Sequence, residues 1–208
     1  MIRIMLQDIL SALNLVGIVS FSISGSLKAF EKKLDLLGVF VLGFSTALAG
    51  GIIRDILLGI YPPTNLRVMD YPLLAILGSV LAVFFYRYIE NLSKALLIAD
   101  AIGLGTFTAT GAEIAIEHGL NVIGVAILAS ITAVGGGVVR DLLSNEVPSV
   151  LKRDFYATPT ILGGLIFYPS YSLLGGSSAL ISTFVFVTVL RIVAILRKWE
   201  LPKVGLSR

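Results

Sequence analysis

The residues of this chain best able to do chemistry are two glycine runs, each followed within one turn by an adjacent arginine and aspartate. Thr46-Ala47-Leu48-Ala49-Gly50-Gly51-Ile52-Ile53-Arg54-Asp55 and Thr132-Ala133-Val134-Gly135-Gly136-Gly137-Val138-Val139-Arg140-Asp141 stand 86 residues apart. Glycine is costly inside a helix, and pairs of small residues mark kinks. A helix broken at Gly50 and Gly51, or at Gly135, Gly136 and Gly137, frees backbone carbonyls that can replace water around a cation. On that reading the carbonyls of residues 46–49 and 132–135 line a polar path together with the hydroxyls of Ser45, Thr46, Ser130 and Thr132. The competing reading keeps both helices whole and has the glycines admit another helix at close range. Arg54, Asp55, Arg140 and Asp141 each cost at least about 2.5–3.5 kcal/mol at membrane depth unless paired or hydrated. Adjacent residues on a helix point about 100° apart. The expectation is therefore pairing across the two copies, Arg54 with Asp141 or Asp100 and Arg140 with Asp55 or Asn14. Such pairs serve as structural clasps at least as well as they serve an ion.

A second shared pattern, Asn14, Gly17, Phe21 and Gly25 against Asp100, Gly103, Phe107 and Gly111, has the spacing of one helical face. Phe21 and Phe107 on that face either narrow a pore, where a hydrophobic constriction gates by dewetting, or fill a core. Asp100 stands where the first copy has Asn14, and an acid there is a cation site or an arginine's counter-ion. Glu113 and Glu117 either draw cations toward a mouth by their local field or, the plainer reading, form a solvated helix end, and Arg191 reads as a side chain that snorkels to the interface.

The elements that must position these residues are membrane helices. Seven apolar stretches, 6–29, 36–59, 71–89, 94–116, 120–143, 157–173 and 177–197, are each near the length needed to cross a bilayer. Residues 14–62 align without a gap on 100–148, and 17 of the 49 positions are identical, so the halves read as copies. Each copy carries three spans, an odd number, so the second must enter the membrane inverted. The expected architecture is all-α: two inverted three-helix repeats, at 1–90 and 91–174, with a seventh helix and tail at 175–208. Lys28, Lys32, Lys33, Arg87, Lys94, Lys152, Arg153, Arg197, Lys198, Lys203 and Arg208 fall on one side, against Arg3 and Arg67 on the other. The positive-inside rule then places the N-terminus outside and the C-terminus in the cytoplasm of a multi-pass cell-membrane protein. Tyr86, Tyr88, Tyr156 and Trp199 are expected in the inner aromatic belt.

Composition agrees with lipid as the solvent. The chain is 56% hydrophobic and 14% charged, with a mean hydropathy of +0.95, against about 25% charged in a soluble domain. With no cysteine and only His118, thiolate metal sites and disulfides are excluded. The net charge of +3 is spread in short clusters between apolar runs, which speaks against nucleic acid. Nucleotide-binding, metalloprotease and serine-hydrolase motifs are missing, so neither an enzyme nor a cofactor is expected.

The doubled glycine-arginine-aspartate motif in a seven-span chain of this length resembles the trimeric intracellular cation channel (TRIC) family, and prokaryotic members most. The resemblance implies a homotrimer embedded in membrane lipid, with a pore in each subunit lined by kinked second and fifth helices and permeant to K+ and less so Na+. Ala112-Glu113-Ile114-Ala115 departs from the lysine-rich motif of animal members. Related bacterial proteins are also described as glycine transporters, so a secondary transporter of a small solute stands as the alternative.

Overall fold

The computed structural model describes residues 2–152 and 155–199, with side chains from residue 5 onward. The side chain of Arg3, and Arg153, Lys203 and Arg208, lie outside the described residues. Every regular element among those described is helical. Seven long helices fall near the apolar stretches: α1 (Ile2–Glu31), α2 (Leu36–Leu57), α3 (Asp70–Phe85), α4 (Leu92–Glu117), α5 (Val122–Leu143), α6 (Thr158–Leu174) and α7 (Gly176–Arg197). Six are long and apolar enough to cross a membrane. The exception is α6, whose 17 residues reach about 25 Å at 1.5 Å per residue, short of the roughly 30 Å hydrocarbon core. Single turns, Thr64–Arg67 and Ser149–Lys152, follow α2 and α5.

The sequence offset of 86 is also a structural offset. Both α2 and α5 have 22 residues, and their bounds differ by that number. Each starts on a side-chain cap: Asp35 accepts the Gly38 N–H at 2.7 Å and Asn121 accepts that of Gly124 at 2.9 Å, as residues at this position ordinarily do. Just past the far end of each helix a left-handed residue, Gly59 or Asn145, turns the chain. Ile60 and Glu146 then return N–H bonds of 2.8 Å to the carbonyls of Asp55 and Asp141.

Two helices form the centre. α1 packs on α2, α3 and α4, while α4 packs on α1, α5 and α7. Leu37, Phe84, Ile123 and Val189 face outward and remain exposed, as an apolar surface in contact with lipid requires.

Candidate functional site

The glycines lie where α2 crosses α5, and the contact is reciprocal. A Cβ on Gly50 would overlap the Thr132 carbonyl oxygen, and a Cβ on Gly136 would overlap that of Thr46. The same exchange recurs between α1 and α4. A Cβ on Gly17 would come within 3.0 Å of Phe107, and one on Gly103 would overlap Phe21. Phe21 and Phe107 meet edge to face, with centroids 5.1 Å apart, and both are buried. Together they fill the contact between α1 and α4 with apolar rings.

The expected helix break is not found. Both α2 and α5 remain hydrogen-bonded helices through their glycines. Close packing compensates for the poor helix propensity of glycine, because two backbones can touch where no Cβ intervenes. The carbonyls of Thr46 and Thr132 are therefore covered by the opposite helix rather than opened to a path. The hydroxyls of Thr46, Thr132 and Ser130 bond back to carbonyls four residues earlier, Leu42 at 2.6 Å, Leu128 at 2.7 Å and Ala126 at 2.8 Å. Ser45 lines an outer groove beside Phe40 and Phe44. None of these four hydroxyls faces the two cavities described next.

A cavity of about 250 Å³ borders Phe107 on one side, its walls combining Asn14, Arg54, Asp55, Asn65 and Glu117 with the apolar Leu10 and Ile18. A smaller one of about 40 Å³ is lined by Lys28, Glu31, Ser93, Arg140, Asp141 and Ser149. Each holds one of the arginine-aspartate pairs. The expectation that these pairs cross between copies is not met. Arg54 turns onto its own neighbour, Nε and Nη2 lying 2.8 and 2.7 Å from Asp55 Oδ1. Arg140 does likewise, with both atoms 2.9 Å from Asp141 Oδ1. The long arginine side chain bridges the 100° between adjacent helix positions, which an argument from Cβ directions overlooks. The second oxygen of each aspartate accepts a backbone N–H from the following loop, Thr64 to Asp55 and Ser149 to Asp141, both at 2.6 Å. The pair is thus a clasp that ties a helix end to its connecting turn.

Asp100 joins only the second pair. Arg140 Nη1 contacts Asp100 Oδ1, donates to Ser24 at 2.8 Å, and shares the same carboxylate with the Tyr156 hydroxyl at 3.1 Å. Asp100 is therefore a counter-ion of Arg140, not of Arg54.

A family model described as Glycine transporter matches residues 11–87 and again residues 97–172. A solved structure reported under the basis of conductance through TRIC cation channels is 51% identical, covering 95% of this chain and 98% of that one, with a TM-score of 0.86. A prokaryotic TRIC channel crystallised in 0.5 M KCl is 44% identical over 94% and 100% of the two chains, with a TM-score of 0.89. The chain belongs to the TRIC family. The UPF0126 membrane protein YvgT of Bacillus subtilis is 36% identical, over 91% of this chain and 94% of its own. This TRIC protein is a multi-pass membrane protein, and the solved relatives are channels rather than enzymes.

Three side chains take places in the TRIC fold other than those expected from the sequence. Tyr156, expected at the interface, is 2% exposed. Arg191 does not snorkel but lies over the Tyr156 ring, 4.9 Å from its centroid, and donates to the Phe155 carbonyl at 3.1 Å. Glu113, read as solvated, is fully buried, and both of its carboxylate oxygens lack a hydrogen-bond partner among the described residues. Asn65 was not singled out; it packs on Gly51 and donates to the Leu48 carbonyl at 3.0 Å. Only the Asn65 position, in a proline-rich turn beside a membrane helix, carried a local signal.

Beside the smaller cavity, Glu146 receives Lys32 at 2.7 Å and Lys28 at 2.9 Å, and Lys28 also meets Glu31 at 3.3 Å. Hydrogen bonds from Lys32 and then Lys28 hold the Glu146 carboxyl down at about 2. An unfolded glutamate titrates near 4.3. The contribution of this cluster to stability is thus present above about pH 4.3 and is lost as pH falls toward 2. A third of the Glu146 side chain is exposed, so the effect is modest. Thermal unfolding of Glu146→Gln is expected to show less loss between pH 5 and pH 3 than the wild type, and equal losses would remove Glu146 as the titrating group.

Proposed function

We propose that this chain is a passive channel for monovalent cations, K+ and to a lesser degree Na+, with a path inside each protomer of a homotrimer. The observation that carries the reading is the pair of cavities on either side of the Phe21–Phe107 contact, each holding a repeated arginine-aspartate clasp. The path runs between α1, α2, α4 and α5, and the rings close it in this conformation, as an apolar constriction does by excluding water. The Asp100–Arg140–Asp141 cluster carries one excess negative charge, which favours cations at that end. Likeness to TRIC cation channels over nearly the whole chain supports the same reading.

The two halves, 1–90 and 91–174, are inserted in opposite senses on this proposal, with 175–208 as the seventh span and tail. Residues 10–18 of α1 meet residues 114–118 of α4 at the larger cavity, whereas residues 28–31 of α1 meet residues 93–97 of α4 at the smaller. Equivalent helices running antiparallel, and reciprocal glycine contacts, are what a two-fold axis in the membrane plane produces. The basic residues put the N-terminus outside and the C-terminus in the cytoplasm.

The second reading, a secondary transporter of a small solute such as glycine, draws on the description of the matching family model and on the closed layer between two cavities, which suits alternating access. Purified protein in a planar bilayer separates the two. Unitary current steps that reverse with the K+ gradient are expected. Saturable glycine uptake without current steps would replace the channel with the transporter.

A further inference from the structure

We propose that the larger cavity is a binding site for a small exogenous monocarboxylate, docked on the Nη1 edge of Arg54. The repeat itself provides the template. Arg140 is held on two edges, with Asp141 on Nε and Nη2, and with Asp100 and Ser24 on Nη1. Arg54 reproduces only the first half of this arrangement. Its Nε and Nη2 hold Asp55, and its Nη1 has no hydrogen-bond partner among the described residues.

The positions that answer to Asp100 and Ser24 are Asn14 and Thr110, each 86 residues away. Asn14 has the length of an aspartate without its charge. The Thr110 hydroxyl is fully buried, has no hydrogen-bond partner among the described residues and is not part of the cavity wall, so Asn14 is the position that opens to the cavity. Space follows the same asymmetry. The half with the built-in Asp100 carboxylate leaves about 40 Å³, and the half without it leaves about 250 Å³, lined by both Arg54 and Asn14.

A guanidinium edge recognises a planar carboxylate better than a spherical anion, because paired N–H groups match its two oxygens. The Asn14 amide is a further donor in the same cavity. Asp55 and Glu117 also line it, and their charge disfavours a dianion. Occupation brings the Arg54–Asp55 pair from neutral to one excess negative charge, the balance of the Asp100–Arg140–Asp141 cluster. The ligand is therefore a formate- or acetate-like anion, or the carboxylate end of a small amino acid.

The test uses the full chain in detergent, with sodium formate or glycine compared with sodium chloride at equal ionic strength. Formate is expected to raise the melting temperature by about 2–5 °C at a tenfold excess over Kd. Asn14→Asp, which places a carboxylate where the other half has Asp100, is expected to abolish that rise. Asn14→Ala, which removes an amide donor from the cavity wall, is expected to weaken formate binding several-fold, and it decides the question if Asn14→Asp does not fold. Glycine acting as well as formate, or better, supports the site and extends its ligand to amino acids; glycine without effect supports it for plain carboxylates. Chloride matching formate, or both variants responding like the wild type, would overturn the proposal. Because binding is read without current, a protein that conducts but does not bind formate is distinguished from one that binds but does not conduct.

Discussion

Arg140→Met is expected to destabilise the protein far more than Arg54→Met, although the two arginines occupy equivalent places in the repeat. Arg140 is 2% exposed and faces two carboxylates, Asp100 and Asp141, both 1% exposed. Removing one partner of a buried ion pair costs about 3–5 kcal/mol, because the remaining charge is left without compensation. Here two negative charges remain together. Among the described residues Arg54 pairs with Asp55 alone, and its cavity is roomier, so water can replace part of what is lost. The measurement is unfolding of detergent-solubilised protein, with yield as a second readout. Asp100→Asn added to Arg140→Met should recover part of the loss, since neighbouring charges couple and their single effects do not add. Equal destabilisation by the two arginine variants, or no recovery in the double variant, would mean that Asp100 is not bound to Arg140 energetically.

The second large effect concerns the helix crossing. Gly50→Ala and Gly136→Ala each place a methyl group against a backbone carbonyl of the opposite helix, at Thr132 and Thr46. A backbone carbonyl cannot rotate away as a side chain can, so α2 and α5 must separate. Overpacking of this kind costs about 1–3 kcal/mol. Gly135→Ala is the internal control, because its Cβ would lie 3.2 Å from the Gly50 Cα and 3.3 Å from the Ile53 side chain, a tight but adjustable fit. The expected order of destabilisation is Gly50→Ala and Gly136→Ala well above Gly135→Ala. The double variant Gly50→Ala, Gly136→Ala should cost less than the sum, because one separation relieves both contacts. A hinge role for the glycines instead makes the alanine variants alter conduction with stability unchanged, and that outcome would favour a kink at the glycines over a purely close-packed crossing.

Much of the fold was legible because its determinants are local or repetitive. Helix spans follow from apolar length, since backbone groups in lipid must be satisfied within the segment. The duplication was visible in the run from Thr46 to Asp55 and its copy, and the offset that aligned those residues also aligns helix caps and left-handed turns that no local pattern had marked, such as Lys33 with Gly119. The partners of the charged residues were not legible. A sequence shows that Arg54 and Arg140 must be compensated, but an arginine side chain reaches over several ångströms in many directions, so the choice among Asp55, Asp100 and Asp141 depends on which helices surround it. For the same reason Tyr156 and Glu113 were expected at an interface and at a solvated helix end, by their position near helix ends, whereas both are buried, Tyr156 between Asp100 and Arg191.

The amino-acid sequence by itself determined that this protein lives in a membrane, that it is built of long helices, that it is two copies of one unit, and that two glycine-rich helices carry buried charge. Those properties depend on hydropathy, helix length and self-similarity, each of which is written along a single stretch of chain. The tertiary structure alone decided that the glycines serve a crossing and not a break, that each arginine clasps its own neighbour, and that one copy has a built-in carboxylate where the other has a cavity. These are matters of which atoms from distant segments meet within 3 Å, and packing of the helices against one another settles them.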